Sequence, residues 1–245
     1  MIILKTLPLP VSTTLMPQGV QPLTLRVERG EVLWVTGPAE SGKTALLETV
    51  ALRRPVTGGT LSIMNHEAGP RLSSGTHRTL QQRISYIEAT PRFMDRLNVA
   101  DNIALPLELN HVRQADIQRE TDSIIRWFQL EGYAGALLDA LSYTTRLRVA
   151  CARALITQPA IILVDEPALT LCPALQDRLL TTIRGLTKNG ATALLATQSP
   201  TGNPLLPGRS LSLPQASPSP PDSTASRDSL TVPLFLSPDD KGLLP

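Results

Sequence analysis

The stretch Glu31-Val-Leu-Trp-Val-Thr36, then Gly37-Pro38-Ala39-Glu40-Ser41-Gly42-Lys43-Thr44, then Ala45-Leu-Leu-Glu-Thr-Val-Ala-Leu52 decides the fold. Its first part is apolar and β-branched and predicts a buried strand. Its last part has helical spacing. The eight residues between them complete the pattern G-x-x-x-x-G-K-[ST], a phosphate-binding loop in the strand–loop–helix setting the pattern requires. Gly37 and Gly42 let the backbone wrap an anion so that the loop's N–H groups turn inward. The helix beginning near Lys43 adds the positive end of its dipole. The Lys43 ammonium is suited to β- and γ-phosphates, and the Thr44 hydroxyl to a Mg²⁺ coordination position.

Working outward, Leu23–Val27 alternates and predicts a strand, Gly58–Ile63 a turn and strand, and Arg83–Ile87 another strand. From Val99 to Gln158 the period becomes helical. Ile117–Leu130 and Arg146–Ile156 carry apolar residues on one face. Ala160–Asp165 is a buried-strand run ending in an acid, Pro173–Lys188 a helix with proline in its first turn, and Ala191–Thr197 one more buried strand. Strands alternating with helices predict an α/β fold: a P-loop NTPase core with a mostly parallel sheet, an antiparallel β edge and an inserted helical subdomain at about 95–158. That domain is expected over residues 1–213. Residues 214–245, rich in Pro and Ser, bury almost nothing and are expected to be a disordered tail, Leu234-Phe-Leu236 included.

Composition narrows the function. The chain has 245 residues, 42% of them hydrophobic, and a net charge of +2, too small to argue for nucleic acid. Its two cysteines, Cys151 and Cys172, form neither metal-ligand spacing nor a disulfide framework, which fits a reducing cytosol. The proline-broken N-terminus lacks signal-peptide anatomy. No apolar run is long enough to span a bilayer, so a membrane role would come through a partner.

The strand ending Ile161-Ile-Leu-Val-Asp165-Glu166 supplies the second half of a nucleotide site. An acid at the carboxyl end of a buried strand beside the phosphate loop serves the metal, which makes Asp165 the metal-side residue. Glu166 directly after it is placed to polarise an attacking water.

This arrangement resembles the nucleotide-binding subunit of ABC transporters over about residues 20–200. Val164-Asp-Glu-Pro167 looks like the family's second acidic motif, and Leu141-Ser142 followed by Arg148-Val-Ala-Cys-Ala-Arg-Ala-Leu155 looks like its signature helix. Phe93–Leu107 looks most like the cell-division ATPase FtsE, with lipoprotein-release and macrolide-export ATPases near it. The resemblance implies ATP and Mg²⁺ as cofactors and a homodimer or heterodimer of ATP-binding subunits. It also implies an FtsX-like, permease-like membrane partner met around Thr90–Leu97, and a cytoplasmic location, peripheral on the inner face of the plasma membrane.

The chain departs from the family's pattern at several places. Tyr143-Thr144-Thr145 stands where Gly-Gly-Gln is usual, leaving Ser142 as the obvious donor to the opposite subunit's γ-phosphate. Glu88 replaces the glutamine that links nucleotide to membrane partner; a carboxylate there still suits Mg²⁺ but adds negative charge. Gln198 replaces the switch histidine and retains one hydrogen-bond donor without positive charge. Cys172 replaces an aspartate, and the adenine-stacking aromatic is missing, with Met16 or Leu15 as weaker substitutes. Two readings follow: an ATPase with slow hydrolysis in cell division or export, or a degenerate regulatory or scaffold subunit that binds ATP without significant turnover. A P-loop kinase or GTPase fits poorly, because no Asn-Lys-x-Asp guanine motif is present.

Overall fold

The computed structural model describes residues 1–7, 22–56, 58–88, 90–166, 173–198 and 203–214. The expectations for Met16, Leu15, Cys172 and the tail beyond Pro214 lie outside them.

Five strands form a parallel sheet in the order β6-β7-β8-β3-β9: β6 (Ile84–Ile87), β7 (Ile161–Val164), β8 (Thr192–Thr197), β3 (Val32–Thr36) and β9 (Arg209–Ser212). The antiparallel strands make a four-stranded sheet of their own, β2-β1-β4-β5, from β2 (Leu23–Val27), β1 (Ile2–Leu7), β4 (Thr60–Ile63) and β5 (His66–Ala68). Six α-helices accompany them among the described residues: α1 (Lys43–Val50), α2 (Ser74–Gln82), α3 (Val99–Leu109), α4 (Gln114–Trp127), α5 (Tyr143–Leu155) and α6 (Pro173–Lys188).

Every residue of β3, β7 and β8 is buried. A parallel sheet covered on both faces needs continuous apolar runs rather than alternation, which these three strands supply. The pleat still sorts the side chains. Trp34, Ile162, Val164 and Leu195 join one core with the inward faces of α3 to α6. Leu33, Val35, Leu163 and Leu194 join a second core with Leu46, Leu47 and Val50 of α1. The antiparallel sheet closes that second core through Ile2, Leu4, Leu25, Val27, Leu61 and Ile63, which its registers set opposite one another. Helix α1 is thereby packed between two sheets, and the loop that precedes it is held from both ends.

The helices stop and start where capping chemistry allows. Asn98 caps α3 by accepting from Asp101 N at 2.8 Å, Ser73 caps α2 through Thr76 N at 3.2 Å, and Ser142 caps α5 through Thr145 N at 3.2 Å. In α4 the buried Ile117, Thr121 and Ile125 recur every fourth residue, a one-sided helix.

Strands β1, β5 and β9 and helix α2 are additions to what the sequence predicts. Among the core-facing residues of α2 only Leu80 is buried, so the helix carries no apolar period to read. Strand β9 is short and largely exposed, and is fixed by pairing with β3 rather than by its own pattern.

Candidate functional site

All five strands of the main sheet run parallel, so their carboxyl ends lie along one edge. There β3 delivers Gly37, β7 delivers Asp165 and Glu166, β8 delivers Gln198 and β6 delivers Glu88. Ligand sites in open α/β sheets collect at this edge.

The loop is tight. Gly37 has φ 153°, and a Cβ there would stand 2.7 Å from Leu213 O and 2.8 Å from Ser41 Oγ. Gly42 enters α1 in the left-handed region at φ 90° with no side-chain cap, and no acid occupies the first turn of that helix. The positive end of the α1 dipole is therefore not offset by residues of its own helix. Glu40, at φ 62°, is a non-glycine residue held in the left-handed region. Ser41 N donates to Pro38 O at 3.4 Å, and Ala39 lies exposed at the loop's tip.

Lys43 is only 6% exposed. Its ammonium folds onto its own loop, donating to Gly37 O at 2.7 Å, Pro38 O at 2.5 Å and Ser41 Oγ at 3.4 Å. Neutral carbonyls satisfy a buried ammonium. The oxygens of an anion in the loop are stronger acceptors for it, because both partners are then charged.

Asp165, also buried, accepts from Thr44 Oγ1 at 2.9 Å and Tyr86 OH at 3.3 Å on Oδ2, and from Glu166 N at 3.0 Å on Oδ1. These three donors are neutral, so the carboxylate's charge is solvated but not cancelled by them. The Tyr86 phenol is held well above its ordinary pKa, chiefly by burial and then by the charge of Asp165. A hydroxyl and a carboxylate side by side offer hard oxygen ligands that fit Mg²⁺. Among the described residues no group of three or more His, Cys, Asp or Glu could hold a metal.

Glu166 Oε1 accepts from Gln198 N at 2.9 Å, tying the end of β7 to the end of β8. The structure thus brings Lys43, Thr44, Asp165, Glu166 and Gln198 together. Two other residues stand apart from that group. Glu88 forms an ion pair with Arg53, whose guanidinium lies 4.9 Å over the Tyr86 ring. Ser142 is exposed at the start of α5, with its hydroxyl shared between Thr145 N and Thr145 Oγ1.

Sequence reasoning missed Tyr86 and Arg53. The strand containing Tyr86 pairs with the strand that ends in Asp165, Tyr86 opposite Leu163, and that pairing was the signal to follow. A cleft of 1310 Å³ opens beyond Glu88, lined by Arg53, Tyr86, Pro91, Leu109 and Arg153 among others. In α3 Asn102, fully buried, ties down the preceding loop: its Nδ2 donates to Met94 O, Leu97 O and Asn98 O, and its Oδ1 accepts from Met94 N, all at 2.9–3.1 Å.

Comparison with known proteins identifies the family. The ABC transporter family model matches residues 20–169. The chain belongs to the ABC transporter family. It is 30% identical over 183 residues to the lipoprotein-releasing system ATP-binding protein LolD of Hyphomonas neptunium, covering 74% of this chain and 80% of LolD. It is 33% identical over 180 residues to the methionine import ATP-binding protein MetN 2 of Bacillus cereus, covering 73% of this chain. The chain spans about half the length of that relative, 53%. Among solved structures, a dimeric bacterial ABC transporter cassette matches with a TM-score of 0.76 at 23% identity, over 87% of this chain and 94% of that one. A dimeric ATP-binding cassette in a post-hydrolysis state, bound to ADP and Pi, matches with a TM-score of 0.71 at 23% identity, over 81% of this chain and 88% of that one. These likenesses establish the ABC cassette fold, the P-loop NTPase α/β class. No helix among the described residues is long and apolar enough to cross a membrane.

Proposed function

We propose that this chain is the ATP-binding subunit of an ABC-type membrane complex, binding Mg-ATP as a dimer of such subunits and hydrolysing it slowly. The observation that carries this reading is the 2.9 Å hydrogen bond between Thr44 and Asp165, 121 residues apart, which joins the phosphate loop to the second acidic motif.

In this reading Gly37 to Thr44 form the cradle, their backbone amides and the α1 dipole facing the phosphates. The Lys43 ammonium exchanges its carbonyl partners for phosphate oxygens. Thr44 and Asp165 hold Mg²⁺, which when bound draws charge from the phosphate oxygens. Glu166 takes the proton of the attacking water, and Gln198 presents a neutral donor near the γ-phosphate. Glu88 stays a candidate metal-side carboxylate only if it leaves Arg53, and Ser142 serves a nucleotide held by the other subunit.

Residues 1–213 form the nucleotide domain, 95–158 its helical lobe, and 214–245 a Pro/Ser-rich tail. The membrane partner is a permease-like, FtsX-like subunit docking near Thr90–Leu97, and the role is in cell division or export from the cytoplasmic side. Supporting this is the loop pinned by Asn102, which presents Met94, 55% exposed. A second reading, a regulatory subunit that binds ATP without significant turnover, is favoured by one feature: α5 begins directly at Tyr143, so side chains occupy the N-terminal turn where glycines are usual.

The test is an ATP titration of the purified chain beside Lys43→Ala. Binding is expected in the wild type and lost in the variant; undiminished binding in Lys43→Ala removes the site assignment.

A further inference from the structure

We infer that Tyr86 is a positioning residue for the metal-side carboxylate of Asp165, and that the Arg53–Glu88 ion pair holds Tyr86 in that role. The inference rests on the Mg-ATP reading above and gives roles to Tyr86 and Arg53, which that reading leaves without one.

Tyr86 donates to Asp165 Oδ2, the oxygen that also accepts from Thr44. The other oxygen accepts from Glu166 N. With donors on both oxygens, the carboxylate cannot rotate without breaking a hydrogen bond, and the Tyr86 hydroxyl and Thr44 together fix the plane of the oxygen shared with the phosphate loop. The Tyr86 ring is itself covered: the Arg53 guanidinium lies over it, 4.9 Å from the ring centroid, and Arg53 is anchored by Glu88. Arg53, Tyr86 and Glu88 all line the 1310 Å³ cleft. A continuous chain of contacts therefore runs from the cleft through Glu88, Arg53 and the Tyr86 ring to Asp165 and Thr44. Whatever enters the cleft and competes for Glu88 or Arg53 loosens the restraint on the metal-side carboxylate.

The experiment uses the full-length chain, a fluorescent ATP analogue as probe, and two conditions: excess EDTA, and a Mg²⁺ titration. In EDTA the probe reads the loop and Lys43. The Mg²⁺ concentration giving half of the divalent-dependent gain in affinity reads Asp165 and Thr44. Tyr86→Phe removes the hydroxyl and keeps the ring. It is expected to raise the half-saturating Mg²⁺ concentration about fivefold, the effect of one lost hydrogen bond, with EDTA affinity unchanged. Arg53→Ala is expected to shift the Mg²⁺ curve in the same direction. A Tyr86→Phe curve within about twofold of wild type, or an equal loss of affinity in EDTA, overturns the positioning role. Tyr86→Phe shifted with Arg53→Ala unmoved overturns the part assigned to Arg53. A wild-type chain that takes no probe in either condition overturns the proposed function and this inference with it.

Discussion

At the scale of single residues, the candidate site is a set of groups whose neighbours leave them few choices. Gly37 shows this most directly, because its positive φ and the 2.7 Å gap to Leu213 O both exclude a side chain. Gly37→Ala is expected to cost about 3 kcal/mol of stability in urea denaturation, from strain and overlap together, and to weaken nucleotide binding by displacing the loop. Cys151 is a different case. It is fully buried on the inward face of α5, and burial pushes its thiol from 9.0 up to about 12. A thiol kept neutral by the fold contributes stability fully below about pH 9, the unfolded value, and loses it as pH rises through 9 to 12. In a Cys172→Ser background, Cys151 is expected to resist thiol reagents at pH 8 until denaturant is added. Alkaline melting curves of Cys151→Ala in that background are expected to fall less steeply. The sequence displayed the phosphate loop and the Asp165–Glu166 pair plainly, since each is a contiguous motif. It did not display Tyr86, whose importance depends on which strand lies beside it.

At the scale of elements, legibility followed the strength of the period. The buried strands β3, β7 and β8 and the helix α6 were readable to within a residue or so because burial on both faces, or on one stripe, forces an apolar pattern. Strands β1, β5 and β9 and helix α2 were not, because short or polar elements take their conformation from partners distant in sequence. The loop before α3 adds a further lesson. Asn102 is an unremarkable polar residue in the sequence, yet all four of its side-chain hydrogen bonds reach the 94–98 backbone or its amide, from a fully buried position. Asn102→Leu leaves Met94 N and the neighbouring carbonyls without that partner and is expected to cost about 3 kcal/mol. Native-state hydrogen exchange should report it first at Met94, ahead of the amides of α4.

At the scale of the whole molecule, two cores on opposite faces of one parallel sheet hold the edge where the strands end. The side with α1 and the antiparallel sheet carries the phosphate loop; the side with α3 to α6 carries the helices, Asn102 and the signature-like segment. The central sheet, with Asp165 and Glu166 at the end of β7, joins the two. Gly37, Asp165, Glu88 and Gln198 each directly follow the last residue of a strand of that sheet, so the sheet sets the backbone position of all four. The central claim is that a nucleotide held in the loop is hydrolysed through Glu166. The measurement that tests it most directly is steady-state phosphate release by the purified chain with Mg-ATP, run beside Glu166→Gln. The account predicts slow release in the wild type that falls by a further 10²–10³-fold or so in the variant, with ATP binding equal in both. Equal release by wild type and variant, or none by a wild type that binds ATP normally, contradicts it.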